Sequence, residues 1–173
     1  MRLWTERLEL IAATPALLRA ELAAPTQLAA LLEVAVPQEW PPPLNTPETA
    51  QYALRFLEGG PDCAGWMTWY FVRQDGRVLV GQGGFCGRPK DGVVEVGYSL
   101  LPAHQARGYA TEAVRALLAQ AFSRPEVHTV SAQTFPHLTP SLRVLERLGF
   151  RPTGPGSEAG AVGFSLRRPY EGH

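Results

Sequence analysis

The chain has 173 residues, 45% hydrophobic and 18% charged, enough to close one core without disulfide or metal staples. Sixteen basic and sixteen acidic side chains leave no net charge, which removes the electrostatic case for a nucleic-acid or membrane partner. No apolar run is long enough to span a bilayer and no signal-peptide pattern is present, so a reducing cytoplasm is the expected compartment. Cys63 and Cys86 form no CxxC pair, and no Cys, His, Asp and Glu set has metal-ligand spacing, so neither a disulfide framework nor a metal is expected.

Arg7 to Ala12 alternates apolar residues and reads as a first strand. From Pro15 to Val34 the spacing is helical, and Pro25 divides it into two short helices, because an internal proline removes a hydrogen bond and clashes with the preceding turn. Five prolines and Trp40 make residues 37–47 a loop. Thr46-Pro47-Glu48 starts a helix, with threonine at the cap and proline first inside, and the helix stops before Gly59-Gly60. Three strands follow at about 66–73, 78–86 and 93–100, with Asp75-Gly76 and Asp91-Gly92 as turns. A helix over about 108–123, a strand over 127–133, a short helix from Thr139 or Ser141 to Arg147 closed by Gly149, and a strand over 161–166 complete one mixed α/β domain spanning 1–173, with a mainly antiparallel sheet.

The stretch from Glu95 to Ala121 is the most informative. A strand (VVEVGYSLL) enters a turn (PAHQARGYA) and then a helix (TEAVRALLAQAF). A helix start offers unpaired backbone N–H groups and the positive end of the dipole, which together suit phosphate. Gly108 lets the backbone approach an anion with no Cβ in the way, Ala110 is small for the same reason, and Arg107 adds a charge. A single helix terminus contributes only about 0.3–1 kcal/mol when exposed, so several donors must act together. Gln-x-x-Gly-x-Ala alone is equally a plain joint between strand and helix. Gly81-Gln82-Gly83-Gly84 is no dinucleotide fingerprint, since Cys86 takes the place of the third glycine and no helix follows; it reads as strand packing.

In this context the chain resembles the GNAT superfamily of N-acetyltransferases, whose acyl-CoA pyrophosphate motif is [Gln/Arg]-x-x-Gly-x-[Gly/Ala]. GYSLLPAHQARGYATEAVRALLAQAF is similar to the branch of ribosomal-protein N-terminal acetyltransferases (RimJ/RimL-like). TERLEL, Val80-Gly81 with Gly84-Phe85, and SLRVLERLGF with its Gly-Phe opening the next strand agree in order and spacing. The resemblance implies a GNAT-like, mostly antiparallel sheet of six to seven strands flanked by helices, with one splayed parallel pair. It implies acetyl-CoA as acyl donor, its pyrophosphate held by Gln105, Ala106, Arg107, Gly108, Tyr109 and Ala110, and its pantetheine arm paired with backbone near Ser99 and Leu100. Tyr98 lines the acyl end or is a core aromatic.

Amine attack on a thioester needs a neutral amine and a protonated leaving thiolate. Neutralising an α-amino group at pH 7 costs roughly 1.4 kcal/mol, and a lysine about 4.6. The resemblance makes Glu95 the general base, against the alternative of a structural or substrate-orienting carboxylate. The tyrosine that many relatives use as acid falls at Leu145, and the usual asparagine at Leu138. Ser141 is the remaining acid candidate, or a helix cap. His128 reads as structural, and His104 and His137 as solvated turn residues. Trp40 and its prolines, with Trp66 and Trp69, either wall an acceptor pocket or are a rigid loop and core tryptophans. The implied activity is acetyl transfer from acetyl-CoA to a primary amine of a protein N-terminus or small molecule, with a homodimer left open. The rival class is a non-catalytic acyl-CoA-binding sensor or interaction module.

Overall fold

The computed structural model describes residues 1–169. In chain order the strands and helices are β1 (Arg2–Trp4), β2 (Leu8–Ala12), α1 (Pro15–Ala23), α2 (Pro25–Leu32), α3 (Pro47–Leu57), β3 (Thr68–Arg73), β4 (Val78–Phe85), β5 (Val93–Leu100), α4 (Tyr109–Phe122), β6 (Thr129–Thr134), α5 (Thr139–Arg147), β7 (Arg151–Pro155) and β8 (Val162–Arg167). Single 3₁₀ turns lie at Pro61–Cys63 and Pro102–His104. Pro25 opens α2 rather than interrupting it, and Ala24 between the first two helices is extended. Thr46 caps α3 through its hydroxyl and Thr49 returns the bond, with Pro47 first inside. Asp91 and Gly92 both have positive φ (50° and 78°) and close a two-residue hairpin between Lys90 and Val93. At the other turn the positive φ values fall one residue later, on Gly76 and Arg77.

The strands form one sheet of eight in the order β1-β2-β3-β4-β5-β6-β8-β7. All neighbours are antiparallel except β5 and β6. The expected six to seven strands thus become eight. The addition is β1, three residues on the rim of β2, too short for an alternation to be visible. Strand β7 opens just after Gly149-Phe150 and carries Pro152 and Pro155, tolerable because it is the opposite edge.

Two apolar clusters cover the two faces. One joins Leu8, Leu10, Phe71, Val80, Val94 and Val96 to the buried stripe of α4 and to Val144 and Leu145 of α5. The other joins Ile11, Tyr70, Val72, Leu79 and Leu101 to α1, α2, α3 and Trp40. Gly81 and Gly83 let β5 approach β4, since a Cβ on either would lie 2.5–2.6 Å from a carbonyl oxygen of β5. The glycine run is strand packing, as its sequence context implied.

Candidate active site

Pairing between β5 and β6 stops early. Val93, Val94 and Glu95 match Thr129, Val130 and Ser131, and there the register ends. Beyond Glu95, β5 stays with β4 to Leu100 while β6 stays with β8 to Thr134, so a gap opens directly after Glu95. The alternation of peptide groups along β5 decides which of them face this gap. Cys86 N–H donates to the Glu95 carbonyl and Leu101 N–H to the Val80 carbonyl, so odd-numbered peptides are turned to β4. The peptides of Val96, Tyr98 and Leu100 therefore face the gap. Of the expected pair, the Leu100 peptide faces the gap and the Ser99 peptide faces β4, with the Tyr98 peptide on the gap side beside Leu100. Ser99 instead donates its hydroxyl to the Pro43 carbonyl at 2.6 Å and ties down the proline-rich loop.

The turn from Gln105 to Ala110 lies at the mouth of the gap. Gln105 donates its side-chain amide to the Leu100 carbonyl at 3.1 Å, fixing the turn to the end of β5. Ala106 and Gly108 have positive φ (59° and 83°) on either side of Arg107, a pattern that turns successive N–H groups into one concavity. Among the described residues, the peptide N–H groups of 106–111 meet no protein acceptor, and Glu112 N–H, bonded to the Gly108 carbonyl, is the first to be satisfied. The buried Thr111 hydroxyl in the same first turn has no partner either. Six orphan amides and a hydroxyl at a helix start fit a polyanionic group such as a pyrophosphate.

One residue not singled out from sequence holds this turn. Arg7 donates its peptide N–H and its Nε to the Glu112 carboxylate, both at 2.7 Å, and its Nη1 to the Arg107 carbonyl at 2.8 Å. Its guanidinium also lies 4.5 Å from the centre of the Tyr109 ring. Burial pushes the Glu112 carboxyl up, but the Thr5 hydroxyl and the Arg7 donors outweigh it and hold the group below its ordinary value. Only proximity in space reveals this clamp, since its halves lie more than a hundred residues apart.

Glu95 sits at the point of the splay with two donors on one oxygen. Its Oε1 accepts from Gln133 Nε2 at 3.3 Å and from the Cys86 thiol at 3.7 Å. Burial, helped by the Glu95 charge and this hydrogen bond, pushes the Cys86 thiol up to about 11, so it stays a donor at neutral pH. Although exposed as a residue, Cys86 turns its sulfur toward Glu95.

Across the gap, the Ser141 and Tyr98 hydroxyls are 3.2 Å apart. Leu138, not Ser141, stands at the cap of α5, with no side-chain cap bond, and Ser141 lies inside the first turn. The cap reading of Ser141 is therefore corrected: its hydroxyl faces Tyr98 rather than an orphan amide. Burial raises the Tyr98 phenol above its ordinary value and the Ser141 bond partly offsets this. Leu145, at the usual tyrosine position, is buried in the core.

The tryptophans divide between the two faces. Trp66 and Trp69 belong to the α4-side core, Trp66 edge-on to Phe85 at 5.3 Å and Trp69 bonded to the Gly65 carbonyl. Trp40 lies on the other face, so the three do not wall one pocket. Trp40 and Tyr70 both donate to Glu21 of α1, at 3.2 and 2.6 Å. Burial raises the Glu21 carboxyl above its ordinary value despite these donors. His128 contacts Thr129 at the far end of β6, while His104, expected to be solvated, is half-buried with an unpartnered Nδ1 among the described residues. No described helix is long and apolar enough to cross a membrane, and no described group of three His, Cys, Asp or Glu side chains suits a metal ion.

The family model "Acetyltransferase (GNAT) domain" matches residues 7–151. The chain is 32% identical over 115 residues to the "Uncharacterized N-acetyltransferase YjdG" of Bacillus subtilis, covering 65% of this chain and 67% of that protein. It is 41% identical over 59 residues to the "Probable N-acetyltransferase YjcK" of the same organism, about a third of each chain. Among solved structures, a putative GNAT-family acetyltransferase from Bordetella pertussis superposes with a TM-score of 0.67 at 28% identity, covering 97% and 99% of the two chains. The ribosomal-protein-S5-alanine acetyltransferase from Vibrio fischeri superposes with a TM-score of 0.68 at 19% identity over 99% of both, a likeness of fold.

Proposed function

The chain belongs to the GNAT acetyltransferase family and is an acetyl-CoA-dependent N-acetyltransferase; from that premise we propose that it acetylates a primary amine, on a protein N-terminus or a small molecule, in the gap between β5 and β6. The carrying observation is the run of six unsatisfied N–H groups at residues 106–111, at the mouth of a gap that begins at Glu95.

In this reading Ala106, Arg107, Gly108, Tyr109 and Ala110 hold the pyrophosphate through backbone donors, with Arg107 adding charge and Gln105 fixing the turn to β5 through the Leu100 carbonyl. The pantetheine arm pairs with the gap-facing peptides of Tyr98 and Leu100. The neutral amine attacks the thioester carbonyl, and its nitrogen gives one proton to Glu95 as the C–N bond forms; the C–S bond breaks, the thiolate takes a proton from the Ser141 and Tyr98 hydroxyl pair, and solvent reprotonates that pair and accepts the proton held by Glu95. An α-amino group needs about 1.4 kcal/mol of deprotonation at pH 7, within reach of one carboxylate or a water. The similarity of GYSLLPAHQARGYATEAVRALLAQAF to the RimJ/RimL-like branch supports an N-terminal amine as one acceptor class, with a single domain, cytoplasmic location and optional self-association as in the expectations above.

The test is release of free CoA from acetyl-CoA across a panel of N-terminal peptides, polyamines, amino acids and aminoglycosides. Acceptor-dependent release well above hydrolysis, with mass spectrometry placing the acetyl group on nitrogen, is expected for at least one class. Acetyl-CoA binding without acceptor-dependent release from any class would make the chain a binding module instead.

A further inference from the structure

Gln133 of β6 is held more tightly than a surface glutamine needs to be. Its Oε1 accepts from the Ser157 peptide N–H at 3.0 Å and from the Ser157 hydroxyl at 3.1 Å. Its Nε2 lies 2.8 Å from the same hydroxyl and 3.3 Å from Glu95 Oε1. A peptide N–H can only donate, so the atom facing Ser157 must be the amide oxygen. That fixes the amide orientation and leaves N–H, not C=O, toward Glu95. The loop between β7 and β8 makes room for this arrangement. A Cβ on Gly156 would lie 2.6 Å from Gln133 Oε1, and Gly156 N–H is bonded to the Ala161 carbonyl, which keeps the loop close. Gly163, the cross-strand partner of Gln133, likewise offers no side chain to displace it.

The two donors on Glu95 approach the same oxygen. Cys86 comes from the chain beyond β4 and Gln133 from β6, and both meet Oε1. Among the described residues, Oε2 has no protein partner.

We propose that Gln133 is a positioning residue for Glu95: locked by Ser157, its amide holds Oε1 so that Oε2 is presented to the acceptor amine. This inference rests on the reading of Glu95 as base. Chemically, an ionised carboxylate accepting a fixed N–H keeps one orientation at the gap, and its free oxygen takes the proton. The balance of atoms is that of the transfer itself: Gln133 donates a hydrogen bond throughout and gives up no proton.

Gln133→Glu separates this role from packing. A glutamate there keeps the shape and still accepts from both Ser157 donors, but when ionised it offers Glu95 no N–H and sets a like charge against it. With a competent acceptor, Gln133→Glu should lower kcat at least about tenfold at pH 7 while the KM for acetyl-CoA stays near wild type. Gln133→Leu, which removes the donor without adding charge, should lower kcat in the same sense. In a Glu95→Gln background, either change should alter kcat by less than about twofold, because coupled residues are not additive. A wild-type kcat in folded Gln133→Glu and Gln133→Leu, with Glu95→Gln impaired, overturns the positioning role and leaves the base reading standing. A wild-type kcat in Glu95→Gln overturns the base reading itself. A purely structural Gln133 would instead show lowered melting with unchanged kcat in Gln133→Leu, and effects additive with Glu95→Gln.

Discussion

The turn before α4 and the face beneath the proline-rich loop belong to one gap yet are built differently. The turn presents main-chain donors: six amides aimed by two positive-φ residues and a helix start. The other side presents side chains gathered from far apart in the chain. There Glu95, Cys86, Gln133 and Ser157 form one hydrogen-bonded set. A backbone site recognises a group common to all acyl donors and tolerates changes in side chain. A side-chain site can differ in every relative, which is why the donor is assigned more readily than the acceptor.

The sharpest way to break this contrast is at Glu95. Glu95→Gln should cost roughly 10²-fold or more in kcat/KM with a good acceptor, within the range for general bases, while calorimetric acetyl-CoA affinity barely changes. Two acceptors of different amine pKa separate enzyme from substrate: an acidic limb of the rate profile that follows the acceptor and survives Glu95→Gln belongs to the amine. On the donor side the pattern inverts. Gly108→Glu puts a Cβ at positive φ 3.1 Å from Arg7 Nη2 and a carboxylate against phosphate, so acetyl-CoA affinity should fall at least about tenfold. Unchanged affinity in a folded variant would remove the pyrophosphate from this turn.

Ser141 and Tyr98 test whether proton return sits between the two regions. Ser141→Ala and Tyr98→Phe should each lower kcat more than they weaken acetyl-CoA binding, and the double variant should be little worse than either. The lost hydrogen bond itself is about 0.5–1.5 kcal/mol, read by thermal melts. A stability loss of that size with intact kcat in both variants would reduce the pair to packing. The smallest effect is expected at Glu21. Burial raises its native carboxyl above the ordinary value of 4.5, so the folded state keeps a proton that the unfolded chain sheds. Its contribution to stability is therefore full below the unfolded value and is lost as pH rises through the folded one. Urea midpoints should decline over that window in the wild type and stay flatter in Glu21→Gln; parallel curves would remove Glu21 as the source.

Much of the fold was readable because its signals are local. Pro25 and the Thr46-Pro47 pair mark helix starts, and Asp91-Gly92 takes the backbone shape its residue types favour. The turn at 105–110 was readable as a joint between strand and helix for the same reason, being six consecutive residues. Strand β1 was not, since three residues carry no period, nor was the choice of β5 peptides that face the gap, because strand alternation needs the register with β4. Ser141 looked like a cap because serine is a common one, but the chain begins α5 at Thr139 and leaves a leucine there. Gln133, Ser157 and Glu21 carry no motif at all, and Arg7 stands in TERLEL with no sign there of its partner; each acts on a partner far along the chain.

Arg7 gives the cradle a folding history as well as a shape. The helix start can form from neighbours in sequence, but the clamp on Glu112 joins residues 105 positions apart and carries the loop-closure entropy of that separation. A chain emerging from the ribosome cannot complete its donor site until the first strand has returned to meet α4. Any ligand gripping that finished turn favours the fully assembled molecule over every partly folded one. At a hundred times its Kd, such a ligand adds about 2.7 kcal/mol to the native state. With the acyl donor held at this turn, as proposed, the donor would double as a selector of correctly folded copies.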